Sequence, residues 1–152
     1  MQTLHFSIQI NAPRQLVWQA MLDQESYRVW TKPFSEGSRY EGSWEQGSEI
    51  RFLGPHPDGT GEGGMFSRIK ENRPHEFMSI EHLGIINNGV VDTTSEEVKK
   101  WLPAFENYTF NEKDGGTEVV VDIDITEEYQ DMFQGMWPKA LQALKELAEG
   151  KE

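Results

Sequence analysis

Apolar residues near the end of the chain recur at three- and four-residue intervals. Tyr129, Met132, Phe133, Met136, Trp137, Ala140, Leu141, Leu144, Leu147 and Ala148 fall on one stripe, which predicts a long amphipathic helix over residues 126–149. Pro138 removes one backbone hydrogen bond inside it and, with Gly135 nearby, predicts a kink. The opening of the chain has a different period. Over residues 3–10, Leu4, Phe6, Ile8 and Ile10 alternate with Thr3, His5, Ser7 and Gln9, the mark of a half-buried strand. A helix starting near Pro13 then carries Leu16, Val17, Ala20 and Met21 inward, and Asp23 caps a second short helix holding Tyr27 and Trp30 that ends before Pro33.

From Arg39 onward the pattern becomes strands divided by turns. Residues 40–44 and 48–53 flank Gln46-Gly47 as a hairpin, with Ile50 and Phe52 on the buried side. Residues 54–64, with five glycines and two prolines, predict a mobile loop. Residues 65–70 and 76–83 flank Asn72-Arg73-Pro74 as the next antiparallel pair. Residues 105–110 and 117–125 flank Asp114-Gly115-Gly116, the clearest hairpin, with Val119, Val121, Ile123 and Ile125 on one face. Between Gly84 and Pro103 the chain makes a longer excursion. Thr94 and Glu97 fit a capping box, and Val98, Trp101 and Leu102 give that helix a small apolar face; a cap over the sheet's end is favoured over a lid. The order of strand, two short helices, about six antiparallel strands and a long helix is α+β, with the sheet curved around the terminal helix and a cavity between them.

Composition narrows the possibilities. At 152 residues the chain predicts a single domain spanning 1–152, long enough for one continuous core. With no cysteine it has no disulfide framework, thiolate nucleophile or thiolate metal site, which fits a reducing compartment. The first ten residues lack both a basic start and a continuous apolar run, so neither a signal peptide nor a membrane span is expected, and the predicted location is cytoplasmic. Fourteen basic against twenty-six acidic residues give a formal net charge of -12, which disfavours nucleic acid as a partner.

Several segments carry a likeness. Ile8-Gln9-Ile10-Asn11-Ala12-Pro13 followed by Val17-Trp18 resembles the opening of the SRPBCC (START/Bet v 1-like) superfamily, specifically the activator-of-Hsp90-ATPase homologue group. Gly42-Ser43-Trp44 with Gly47 is similar to that group's early hairpin, Phe105-Glu106 through Gly115-Gly116-Thr117 to its last hairpin, and Gly135-Met136-Trp137-Pro138-Lys139-Ala140-Leu141 to its terminal helix. The resemblance implies a helix-grip fold with an internal hydrophobic cavity. Relatives in the superfamily include lipid carriers, metabolite binders, cyclases and an Hsp90-binding domain. Each matching motif is a start signal, a turn or a packing face, so the likeness speaks to fold more than to function.

Candidate chemistry is sparse. The four histidines show no ligand spacing, so no metal and no cofactor is expected. The glycines at 59, 61, 63 and 64 lack the Lys-Ser/Thr ending of a phosphate loop and lead into a strand. Glu62 reads as a solvated loop acid. His82 shares a strand face with Met78 and Ile80, which presents it to the cavity if that face is internal; a rim histidine bonded to a neighbour is the favoured alternative. Adaptable rings and thioethers supply the rest of a ligand site: Trp44, Phe66, Trp101, Phe105, Tyr129, Met132, Phe133 and Met136. The leading expectation is non-catalytic binding of a small hydrophobic or amphipathic molecule between the C-terminal helix and the sheet. The alternatives are a cyclase, dehydratase or hydrolase using a pocket acid or base such as His82, and a module that engages a chaperone or another protein partner.

Overall fold

A computed structural model describes residues 2–34, 37–56 and 61–150. The chain runs β1 (Gln2–Ile10), α1 (Arg14–Leu22), α2 (Gln24–Trp30), β2 (Arg39–Gly42), β3 (Glu49–Pro55), β4 (Glu62–Arg73) and β5 (Phe77–Asn87). It continues through β6 (Val90–Asp92), α3 (Glu96–Lys99), β7 (Ala104–Lys113), β8 (Gly116–Ile125), a 3-10 turn (Glu127–Tyr129) and α4 (Gln130–Ala148). The strands form one antiparallel sheet in the order β1-β8-β7-β5-β4-β3-β2, with β6 folded back on β5. The first strand therefore pairs with the last, and the helices pack across the concave face. The result is the α+β helix-grip arrangement expected from the strand and helix periods.

The core is built from those periods. Ile10, Val17, Met21, Ile50, Ile69, Met78, Ile80, Val119, Val121, Leu141 and Leu144 bury their side chains in one cluster, and α4 contributes Trp137, Ala140, Leu141 and Leu144. Burial of a single Leu or Ile side chain stabilises by about 1.5–3 kcal/mol. α4 is unbroken through Pro138. At the seam between β8 and α1, the buried Thr117 hydroxyl donates to the Ala12 carbonyl at 2.8 Å. At the other edge, Gln24 bonds both backbone groups of Tyr40, and the Tyr40 hydroxyl donates to the Leu22 carbonyl at 2.5 Å, which ties α2 to β2.

Several expectations change. Leu16 points outward and is 47% exposed. Asp23 stands at the N-terminus of α2 but its side chain makes no capping bond. α3 is capped by Ser95, whose hydroxyl accepts from the Val98 amide at 3.3 Å, while the Asp92 carboxylate accepts from the Thr94 and Ser95 amides. Trp44 lies in the β2–β3 connection because β2 ends at Gly42. The excursion beyond Gly84 opens as sheet: Asn88 and Gly89, with φ of 50° and 84°, turn the chain tightly so that β6 pairs with β5 before α3. The described part of the glycine-rich stretch is mostly strand as well. β3 reaches Pro55 and β4 begins at Glu62, with Gly54 opposite Gly63; Gly59 and the rest of residues 57–60 lie outside the described residues. Gly64 approaches so closely that a Cβ there would stand 1.7 Å from the Phe52 carbonyl oxygen.

Candidate functional site

The space between α4 and the sheet is packed with rings. Trp137 is 3% exposed and meets Phe34 at 4.9 Å and Phe6, Trp30 and Tyr108 at 6.1 Å between centroids. A second cluster adjoins it toward α2. Tyr27, Tyr40, Trp44 and Phe52 close a four-membered circuit of ring contacts at 5.2, 5.1, 5.6 and 6.2 Å. Each such pair contributes about 0.5–1.5 kcal/mol beyond its buried area. The indole N–H groups of Trp44 and Trp137 are buried without a partner among the described residues, an uncommon state for a buried donor.

The opening lies beside these clusters. A groove of about 510 Å³ is lined by Tyr27, Phe34 and Ser38 on one side and by the ends of β3, β4 and β5 on the other. Its floor has a direct sequence cause. Phe52 belongs to the concave face, so alternation places Gly54 there too, and Gly54 pairs with Gly63. The two paired glycines add no side chains of their own, and the His56 ring, which also lines the groove, lies over Gly63. Asn87 pairs with Gly63 and Ile85 with Met65, so a register shift that leaves Leu83 unpaired brings Ile85, 37% exposed, to the same face as His82.

Behind Phe52 runs a row of polar groups. The rings of Phe52 and His82 stand 6.4 Å apart, edge to face. Ser67 and His82 sit directly opposite each other on β4 and β5, with the Ser67 hydroxyl 2.8 Å from His82 Nδ1. His82 Nε2 is 3.1 Å from a carboxylate oxygen of Glu106, whose other oxygen accepts from the Tyr108 hydroxyl. An Nε2–H donated to the carboxylate leaves Nδ1 as acceptor for the Ser67 hydroxyl, so the row has one consistent direction. Ser67 is fully buried, and His82 and Tyr108 nearly so. Burial, and after it the Glu106 charge, pushes the Tyr27 and Tyr108 phenols well above their ordinary range. Both stay protonated at neutral pH.

The expected site residues divide into three groups. Trp44 and His82 lie around the groove and its polar row, and Phe133 reaches it through an edge contact with Phe34 at 6.2 Å. Met136 is half-buried on α4, whereas Tyr129 and Met132 are 49% and 42% exposed at the helix start. Phe66, Trp101 and Phe105 stand elsewhere. Phe66 pairs with Arg51 on the convex face, beneath its guanidinium, and Phe105 lies there under the Lys70 ammonium at 5.0 Å. Trp101 follows α3 and makes none of the interior ring contacts found among the described residues. These three do not wall the helix–sheet interior, because strand alternation and the α3 excursion carry them away from it. Sequence reasoning did not single out Tyr27, Phe34, Phe52, Ser67, Glu106 and Tyr108 for the site. Glu106 offered a signal, as a carboxylate in phase with inward Tyr108 and Phe110.

The remaining candidates are structural. Glu62 is held by Arg39 through two bonds at 3.0 and 2.7 Å, and this guanidinium keeps its carboxyl below the usual range. His5 contacts Asp122 and His75 packs on Trp18, whereas His56 lines the groove and contacts Asn87, another lining residue; Pro57 and Asp58, which follow His56, lie outside the described residues. Among the described residues no three His, Cys, Asp or Glu side chains gather as a metal site, and no helix is long and apolar enough to cross a membrane. A second hollow of about 520 Å³ lies between the start of α1 and the β7–β8 turn. Arg14 and Glu112, both in its lining, pair across it, and it lacks aromatic walls.

Comparison with known proteins agrees with this architecture. Among curated proteins no sequence matches significantly. Solved structures match over nearly their full length: the Aha1 dimer from Colwellia psychrerythraea (15% identity, TM-score 0.71, covering 100% of this chain and 99% of that one) and an AHSA1-like protein from Aeromonas hydrophila (16%, 0.70, 99% and 96%). A protein from Cytophaga hutchinsonii is similar at 22% identity and TM-score 0.71, covering 99% of this chain and 96% of that one. At such identities these structures speak for the fold alone. Residues 11–149 match the sequence family described as activator of Hsp90 ATPase homolog 1-like protein, and the chain belongs to that family.

Proposed function

We propose that this protein binds a small amphipathic molecule, non-catalytically, in the groove between α2 and the glycine-floored ends of β3, β4 and β5. The observation that carries the reading is the pairing of Gly54 with Gly63 on the concave face, opposite Tyr27 and Phe34. It creates an apolar hollow beside a hydrogen-bonded polar row, the combination that small-molecule sites use for affinity and orientation. The hollow is displaced from the middle of α4, where Trp137 fills the interior. Absence of cysteine supports a cytoplasmic setting.

A neutral solvatochromic dye such as Nile red tests this. Saturable binding with a blue shift is expected, and Ile85→Asp, at an already exposed wall position, is expected to weaken it about tenfold or more by placing a hydrated charge in the groove. Dye binding that ignores this substitution would place the ligand elsewhere.

One observation favours a second reading. The directed Ser67–His82–Glu106 row is an acid–base arrangement, and it would support proton transfer on a bound molecule if His82 reached it. Ser67 is fully buried and both His82 nitrogens are occupied, so binding is the better account. The protein-partner reading rests on Tyr129 and Met132, exposed together at the start of α4.

A further inference from the structure

The groove has a polar end as well as an apolar wall. Gly54, Gly63 and Asn87 stand opposite one another on β3, β4 and β5, so all three face the groove. His56 follows β3 and turns its ring to the same side, its backbone amide donating to the Gly61 carbonyl at 2.8 Å. A Cβ on Gly63 would stand 2.7 Å from His56 Cε1 and 3.3 Å from Nδ1, so the bare glycine is what gives the imidazole its place. On the far side of the ring, Nε2 meets the Asn87 side-chain oxygen at 3.0 Å. Neither side chain makes a further hydrogen bond among the described residues. An amide oxygen only accepts, so Nε2 carries the proton; the neutral ring then keeps a lone pair at Nδ1, and the Asn87 amide keeps its N–H groups. Turning the amide over exchanges these roles and again leaves one acceptor and one donor. Ile85, the exposed wall residue, stands two positions before Asn87 on the same strand, about 7 Å away. The polar pair and the apolar wall are therefore one short chain length apart.

From this we infer that the groove selects hydroxyl-bearing amphiphiles, the hydroxyl donating to His56 Nδ1 and accepting from the Asn87 amide while the hydrocarbon body lies on Ile85, Phe52, Tyr27 and Phe34. This inference rests on the binding reading above and adds the head group of the ligand. A hydroxyl donates and accepts through one atom, so it meets both partners at once. An ether oxygen only accepts and an ammonium only donates, and each leaves one of the pair unmet at the cost of its desolvation.

The experiment titrates 1-octanol and its isomer 1-methoxyheptane into the protein by calorimetry at about pH 8, with the imidazole neutral. Both probes are uncharged, so the acidic surface does not distinguish them. The alcohol is expected to bind about fivefold or more tightly than the ether, the size of one hydrogen bond. The double variant His56→Phe/Asn87→Leu, at a half-buried and an exposed position, is expected to bring the alcohol-to-ether ratio near unity. A ratio left intact in that variant would mean that the hydroxyl is seated elsewhere, and so would overturn the inference. Equal affinities for alcohol and ether in the unmodified protein would also overturn it while leaving the binding reading standing, and this comparison does not depend on the variant folding. If neither probe binds, the groove reading falls and this inference with it.

Discussion

Tyr108 joins stability and site in one side chain. It is 3% exposed and donates its hydroxyl to Glu106, so Tyr108→Phe removes one of the two donors that hold the carboxylate. At neutral pH that change is expected to cost about 1–3 kcal/mol. The sign at high pH follows from the raised phenol. Below the unfolded value of 10.0 both states keep the proton. Above it the unfolded chain releases a proton that the folded chain retains, and stability falls by about 1.4 kcal/mol per pH unit from this group. The gap between the two proteins should therefore narrow by about 1 kcal/mol in urea titrations between about pH 9 and about pH 11. A gap that stays constant would show that Tyr108 is not buried as described. Leu144, fully buried on α4, is a purely apolar counterpart: Leu144→Ala should cost about 2–5 kcal/mol. An unmoved unfolding midpoint would mean that α4 presents another face.

At the scale of elements, the alternation of β1, β7 and β8 and the stripe of α4 were legible because each burial pattern repeats within one contiguous segment. The polar row was legible only in part. The phase of β5 puts His82 with Met78 and Ile80, but its partners Ser67 and Glu106 come from β4 and β7, and register between strands is not written in any one of them. Glycine misled for a related reason. Residues 54–64 look like a loop by composition, yet Gly54, Gly63 and Gly64 are strand residues, and the last two permit the close approach of the His56 ring and of the Phe52 carbonyl. Asn88-Gly89, a strong hairpin signal, lay inside what looked like an irregular excursion. α3, four residues long and capped by the single Ser95 hydroxyl, should be the weakest element. Amide exchange at Val98 and Lys99 should be much faster than at Val119 and Val121 of β8, and faster still in Ser95→Ala, which loses about 1 kcal/mol of capping. Equal protection in α3 and β8 would contradict this ordering.

At the scale of the molecule, charge sets two opposing responses to salt. Ion pairs such as Arg39–Glu62, Arg68–Glu81 and Arg73–Glu71 are weakened by screening, but exposed pairs contribute only about 0–1 kcal/mol each. The excess of twenty-six acidic over fourteen basic residues repels itself across the whole surface, and screening relieves that repulsion. Because acids outnumber bases, even complete pairing would leave twelve negative charges uncompensated, and these have no favourable interaction to lose. Repulsion should therefore win. Raising sodium chloride from about 0.05 M to about 0.5 M shortens the screening length from roughly 14 Å to roughly 4 Å, below the spacing of most surface charges, and is expected to raise the thermal midpoint by a few degrees. Tyr108→Phe, which changes no charge, should show the same increment. A midpoint that falls with salt would mean that the ion pairs at the sheet edge and the end of α4 hold the fold more strongly than the net charge opposes it.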